Sequence, residues 1–309
     1  MCTAIKYKTC FGRTLDYDKR FGEELVRVEK GSLLTFVHEG TMRSEYSIMG
    51  AARMVNGRPL FFDGMNYAGL CAAALNFPNI AFYRGERCGE VNIASFELIS
   101  YILSSCKSVE EVRYKLRNLN ITSESASTDI PHAPLHWMVA DVRESLVIEP
   151  LKDGVKMLED PAEVLTNAPC LEYQLTRLAD FMQLDSRPPQ NNLKNELDLP
   201  PYSRGMGAIG LPGDWSSTSR FVRAVFVKEK LDARNMSDTE ALFEILNGVS
   251  VPYGCVITET GKASVHSTHR VWICARASIA TEKAVILRKK RLNSSDFKYF
   301  IQLNRHLTK

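Results

Sequence analysis

No CxxC pair and no cysteine-to-histidine spacing of the zinc-binding kind occurs in the sequence, which disfavours a metal centre although eight cysteines are present. No stretch approaches the ~20 apolar residues that span a bilayer. The N-terminus has no basic segment followed by an apolar core of the signal-peptide kind, so the mature start is expected from simple removal of Met1, and the cytoplasm is the expected place of synthesis. Charge of one sign is also scarce. The net charge is +3, and the one basic cluster, Arg288-Lys289-Lys290-Arg291, has the length of a solvated face. A nucleic-acid partner needs a larger basic surface interleaved with aromatics. Internal repeats and low-complexity segments are absent as well.

What is present is an ordinary globular composition, with 309 residues, 45% hydrophobic and 24% charged. That length supports a substantial core in one large domain or two. The first half reads as sheet: 2–7, 11–16 and 24–28 are strand-like, and Asn56-Gly57 between 47–52 and 59–63 is a strong hairpin signal. The apolar run 69–75 predicts a strand buried on both faces.

Helices follow. Phe96, Ile99 and Leu103 share a helical face, and Ser108 with Glu111 forms a capping box opening a helix through Leu119. A loop over 121–134 leads to strands at 135–140, 145–149, 154–158 and 163–166, then a helix over 171–182. A long polar connection, 185–203, and a glycine-rich stretch, 205–210, precede a helix starting near Ser216 or Ser217. A second capping box, Ser237 with Glu240, opens a helix through Leu246. Strands at 255–258, 271–274 and 284–287 and an amphipathic helix over 294–307 close the chain. Strands and helices in blocks argue for an α+β protein of mostly antiparallel sheets covered by helix pairs. A four-layer sandwich, two sheets inside and helices outside, fits that order, and a two-layer α+β domain fits nearly as well.

The chemistry points to Cys2. A cysteine with a free α-amino group is nucleophile and base in one residue. The amine titrates near ~7.7–8.0 and the thiol near ~8.5, so the amine can accept the thiol proton at neutral pH. Such a nucleophile needs a nearby cation, an orienting carboxylate and oxyanion donors. Arg13 and Asp16 lie on a strand able to pair with that of Cys2, while Asn76, Asn167 and Arg220 sit where chains leave strands or enter a helix. Plainer readings exist for each: a surface ion pair, or an asparagine that forms a turn before Phe77-Pro78 or Ala168-Pro169. Arg220 in a helix's first turn opposes the macrodipole, which hints at a use elsewhere.

The stretches MCTAIKY, FGRTLDYD, GLCAAALNFP, VLTNAP and LPGDWSSTSRFVR, in that order, resemble the choloylglycine hydrolase family of bile salt hydrolases and penicillin V acylases. The resemblance is densest up to about Phe226. It implies a single N-terminal nucleophile hydrolase domain over 1–309, with the four-layer αββα sandwich, no cofactor and no metal, that cleaves a non-peptide amide as a homotetramer or dimer. By the same resemblance Cys2 is the nucleophile, Arg13 the arginine beside the thiol and Asp16 the carboxylate orienting amine and thiol. Asn167 is the oxyanion asparagine, Asn76 its companion, and Arg220 completes the polar network.

The expected substrate is a small amphipathic amide, a glycine- or taurine-conjugated bile salt. Asn76 favours that branch, since penicillin V acylases of the family tend to carry tyrosine there. Against it, Tyr17-Asp18-Lys19-Arg20-Phe21 is more charged than the aromatic-rich versions typical of bile salt hydrolases. Tyr17, Phe21, Met65, Phe82 and Leu135 are expected to line the pocket, although ordinary core explains each as well. The alternatives are a penicillin V or N-acyl homoserine lactone acylase with the same machinery, and a non-catalytic binder of amphipathic acids, which would need none of the Cys2 chemistry.

Overall fold

The computed structural model describes residues 1–17, 21–193, 197–257 and, as backbone, 266–273. The chain opens with β1 (Cys2–Tyr7) and β2 (Cys10–Tyr17), then β3 (Glu24–Val28) and a small hairpin of β4 (Leu33–Phe36) and β5 (Gly40–Arg43). The longer hairpin of β6 (Ile48–Val55) and β7 (Arg58–Asn66) turns at Asn56-Gly57, whose φ values are 50° and 76°. Two left-handed residues are what a type I′ turn requires, and asparagine and glycine adopt them at least cost. Next come β8 (Cys71–Asn76), β9 (Val91–Ala94), α1 (Leu98–Ser105), α2 (Val109–Lys115) and β10 (Leu119–Thr122). The second half runs β11 (Leu135–Ala140), β12 (Ser145–Leu151), β13 (Gly154–Glu159), β14 (Val164–Leu165), α3 (Leu171–Arg177), α4 (Ser217–Lys230), α5 (Asp238–Asn247) and β15 (His266–Ile273).

Two antiparallel sheets carry the fold. The smaller has the order β14-β1-β2-β15 and the larger β13-β12-β11-β8-β7-β6-β3. Side-chain alternation on the larger sheet defines the layers. Trp137, Val139 and Ile148 point into a cluster with Leu98, Ile102 and Val112 of α1 and α2. Met138, Ala140 and Val147, on the other face, share a cluster with Cys2 and Ile5 of the smaller sheet and Phe221 and Leu242 of α4 and α5. The order is therefore helices, sheet, sheet, helices, and the four-layer expectation holds over the two-layer one.

Several boundaries differ from the sequence expectation. The helix after Ser108 ends at Lys115 rather than Leu119, because Leu119 and Ile121 bury their side chains as β10 pairs in parallel with β9. Its capping box is half made: Ser108 Oγ accepts from Glu111 N at 3.2 Å, but the Glu111 carboxylate turns to Lys107 N at 2.9 Å. The box at Ser237 and Glu240 is complete. The expected helix over 171–182 tightens after Arg177 into a 3₁₀ turn, Leu178–Phe181. The strand expected at 255–258 is turn and bend through Val256, and the strand expected at 271–274 is, over 271–273, the end of β15. The strand at 284–287 and the helix at 294–307 lie outside the described residues.

Close backbone approach marks the β6–β7 pair. A Cβ built on Gly64 would lie 2.7 Å from Met49 O and 2.8 Å from Gly50 Cα. Gly64→Ala must push these strands apart and should lower unfolding stability in urea by about 1–3 kcal/mol. Gly213→Ala, which meets nothing within 4 Å, should cost less than about 0.5 kcal/mol.

Asp160 gives a pH test. Its side chain accepts from Ala162 N at 3.1 Å, and burial, partly offset by backbone donors and Lys228, raises its pKa to about 7. Between the ordinary unfolded value near ~4 and 7 the folded chain holds a proton the unfolded chain releases, so stability falls as pH rises through that window. Asp160→Asn should flatten this part of the stability profile, measured by denaturant midpoints from pH 4 to 8.

Candidate active site

Strand register decides which side chains can meet. Cys2 lies opposite Leu15, and Ala4 opposite Arg13. Opposed residues in an antiparallel pair share a face, so Cys2, Ala4 and Arg13 stand on one side of the smaller sheet. That side faces the larger sheet, because Arg13 Nη1 donates to Phe62 O at 3.0 Å and Ala74 O at 2.8 Å and lies 3.5 Å from Asp63 Oδ2. The Cys2 thiol is therefore between the sheets, with the residue 1% exposed. Thr3, Thr14 and Asp16 occupy the opposite face. Thr14 Oγ1 accepts from Thr3 N at 3.2 Å and donates to Asp16 Oδ2 at 2.8 Å.

Helix α4 delivers Arg220 to that second face. Ser216 caps the helix by accepting from Ser219 N at 3.3 Å, and Arg220 follows inside the first turn, fully buried. Its Nη1 donates to Cys2 O at 2.5 Å and to Thr3 Oγ1 at 2.7 Å, and its Nη2 to Asn167 Oδ1 at 2.7 Å. The unfavourable dipole position is thus compensated by buried acceptors. Asn167 follows β14 at the end of the smaller sheet. Its Oδ1 also accepts from Cys2 N at 2.9 Å, and its Nδ2 donates to Asn76 O at 2.7 Å, at the end of β8.

Met1 continues the β1–β2 ladder. Asp16 N donates to Met1 O at 2.8 Å, and the Met1 nitrogen is bonded to Asp16 O. Burial alone would lower the Arg13 pKa, but the electrostatic influence of Cys2 first, then Asp63, Tyr17 and Asp16, raises it. For Arg220 burial wins over Asp16 and Cys2, and its pKa is lowered. Arg13 Nη2 and Asp16 Oδ1 are buried without hydrogen-bond partners. Arg13, on the face of the thiol, can favour a sulfur anion, and the Asn167 carboxamide beside the Cys2 nitrogen can receive an oxyanion.

A family model described as linear amide C–N hydrolases, choloylglycine hydrolase family, matches residues 2–299. The chain belongs to the choloylglycine hydrolase family. A bile salt hydrolase/transferase of Lactiplantibacillus plantarum is 41% identical over 265 residues, covering 84% of this chain and 82% of the relative. One of Clostridium perfringens is 30% identical over 276 residues, covering 86% and 84%. The crystal structure of a mutant conjugated bile acid hydrolase from C. perfringens superposes with a TM-score of 0.84 at 26% identity, over 95% of this chain and 94% of that one. A penicillin V acylase from Agrobacterium tumefaciens, at 19% identity and TM-score 0.70, shares the fold.

Within this family member the structure brings Cys2, Arg13, Asp16, Asn167 and Arg220 together. Asn76 joins through its backbone carbonyl. Tyr17 and Phe21 form an edge-to-face aromatic pair: their ring centroids are 4.7 Å apart at 80°, and Phe21 reaches Phe62 at 5.5 Å. Met65 is buried in the inter-sheet cluster with Cys2. Two pocket expectations are corrected. Leu135 packs in the cluster under α1 and α2, on the far face of the larger sheet, because the pleat sends its neighbour His136 inward instead. Phe82 is 43% exposed on the segment after β8, with its N–H bonded to Pro150 O.

Sequence reasoning missed Asp63, Thr3, Thr14, Ser217 and Phe62. A lone carboxylate in the apolar run Leu60-Phe61-Phe62-Asp63 was the available signal for Asp63, since a buried acid needs a cationic partner. The threonines carried no such signal. Asn167→Ala should lower kcat on a linear amide by about 10²–10³, the cost of one oxyanion donor, in steady-state assays of purified protein.

Proposed function

We propose that this protein hydrolyses the amide of glycine- or taurine-conjugated bile salts, with Cys2 as its N-terminal nucleophile. The observation that carries this reading is the buried cluster of Cys2, Arg13, Asn167 and Arg220 in a chain 41% identical to a bile salt hydrolase/transferase. The aromatic cluster of Tyr17, Phe21 and Phe62 supplies an apolar wall of the kind a steroid body needs.

Removal of Met1 frees the Cys2 amine where its nitrogen already meets Asn167 Oδ1. The amine takes the thiol proton, and the sulfur attacks the amide carbonyl carbon to form a tetrahedral intermediate. Asn167 Nδ2 spends one N–H on Asn76 O and offers the other to the oxyanion. The ammonium protonates the departing nitrogen of glycine or taurine as the C–N bond breaks, leaving an acyl thioester on Cys2. Water, deprotonated by the same amine, attacks the thioester carbonyl carbon; the C–S bond breaks, the ammonium returns its proton to the Cys2 sulfur, and the free bile acid leaves. Arg13, facing the thiol, stabilises negative charge on sulfur, and the Asp16 Oδ1 without a partner is the acceptor for the freed ammonium.

The chain is further proposed to act as a single domain, in the cytoplasm, as a homo-oligomer. Exposed apolar residues gathered along one connection, Met182, Leu193, Leu197, Leu199, Tyr202 and Ile209, support self-association.

Intact mass first establishes loss of Met1. The protein is then incubated with glycocholate, taurocholate and penicillin V, and released amine or acid is quantified. Conjugated bile salts should be turned over and Cys2→Ala should abolish the reaction. A correctly trimmed protein that leaves both bile salts intact overturns this reading, and cleavage of penicillin V alone moves it to the acylase branch.

A further inference from the structure

A buried histidine that the chemistry above does not use lies next to the Asn167 backbone. His136, on β11, is 0% exposed, and its Nε2 is 3.0 Å from Thr166 O. A carbonyl oxygen can only accept, so Nε2 carries a hydrogen, and the contact of Nδ1 with Glu149 needs a second one, on Nδ1 or on the carboxyl. The N–H at the other end of the same peptide unit, that of Asn167, donates to Ser217 Oγ at 2.8 Å, and Ser217 Oγ in turn donates to Thr166 Oγ1 at 2.9 Å. The peptide joining Thr166 to Asn167 is therefore gripped at both ends, which fixes the plane from which the Asn167 side chain departs.

The imidazole is itself held from two sides. Its ring lies parallel to that of Phe77, with centroids 4.2 Å apart and an interplanar angle of 7°. Phe77 directly follows Asn76, and its own N–H is bonded to Pro134 O at 2.8 Å. On the other side Nδ1 faces Glu149 Oε1 at 3.5 Å, and that oxygen also accepts from Leu171 N at 3.0 Å, where α3 begins just beyond Asn167. Both side chains are fully buried, and Glu149 Oε2 has no hydrogen-bond partner. A buried carboxylate and imidazole are costly to bring together in a core, more costly than the apolar pair of equal volume that packing would accept. One ring thus ties the chain after Asn76, the peptide before Asn167 and the start of α3 into one unit.

We propose that His136, oriented by Glu149 and Phe77, is a positioning residue that sets the Asn167 carboxamide for catalysis. It touches neither thiol nor substrate. The inference rests on the assignment of Asn167 as oxyanion donor, and its action runs through Asn167 alone. A misplacement of about 1 Å in a positioned catalytic group costs on the order of 10²-fold in rate.

The test compares His136→Gln, whose Nε2 can still reach Thr166 O, with His136→Asn, whose shorter amide cannot, and His136→Phe, which keeps the stack and loses the donor. Assayed on glycocholate, His136→Gln should keep kcat within about fivefold of the parent. His136→Phe and His136→Asn should lose about 10–100-fold in kcat with KM changed less than about twofold. In an Asn167→Ala background the same changes should have no further effect, since the positioned group is gone. Unchanged kcat in His136→Asn, or an equal loss with and without Asn167, overturns the proposal. Should His136→Phe fail to fold, the Gln and Asn pair decides. A crystal structure of His136→Asn separates this inference from the substrate assignment: Asn167 Nδ2 should leave Asn76 O, and an unmoved Asn167 overturns it whether or not bile salts are cleaved.

Discussion

The Asn167 carboxamide is the joint on which the site depends. It lies 8% exposed where three layers converge, and each layer supplies it a partner: Cys2 N from the smaller sheet, Arg220 from α4, and Asn76 O from the larger sheet. A buried polar group left unpaired costs about 1–3 kcal/mol, so these bonds are conditions of folding as much as of chemistry. The two sheets and the outer helix cannot slide past one another without breaking at least one of them. The same constraint holds the Cys2 nitrogen and the Asn167 carboxamide at a fixed separation before any substrate arrives.

Charge in the site is balanced without being fully satisfied. Arg13 and Arg220, both fully buried, face Asp16 and Asp63, also buried. Arg13 is anchored by carbonyls of the larger sheet and has its pKa raised by the groups around it, whereas burial lowers that of Arg220, which spends its donors on neutral acceptors and the Asn167 amide. Arg13 Nη2 and Asp16 Oδ1 keep unused hydrogen-bonding capacity. Orphaned atoms in a core weaken the fold, and here they flank the residue that must acquire charge, which is where a pre-organised site keeps its capacity in reserve.

Much of the fold was legible because its signals are local. Asn56-Gly57 turns as its two left-handed residues require, Ser237 and Glu240 close a full capping box, and the strands of the first half fall close to where alternation put them. The failures have a common cause. The helix after Ser108 reads as continuing to Leu119, but Leu119 and Ile121 gain more by burial beside β9, a partner distant in sequence. Leu135 was expected in the pocket and His136 was passed over, because sequence alone does not say which face of β11 looks toward the smaller sheet.

The sequence by itself determined the reactive group and its class: a cysteine behind the first residue, a strand able to bring Arg13 back beside it, and motifs in an order specific enough to imply the family and the four-layer sandwich. Tertiary structure alone decided how those residues divide between two faces of one strand pair. Arg13 reaches inward to the larger sheet while Asp16 and Arg220 meet on the helix side, with Asn167 joining the two faces. Asp63, Thr3, Thr14 and His136 entered only then. Their roles come from partners far along the chain, and a side chain's alternation is visible in sequence while the surface it meets is not.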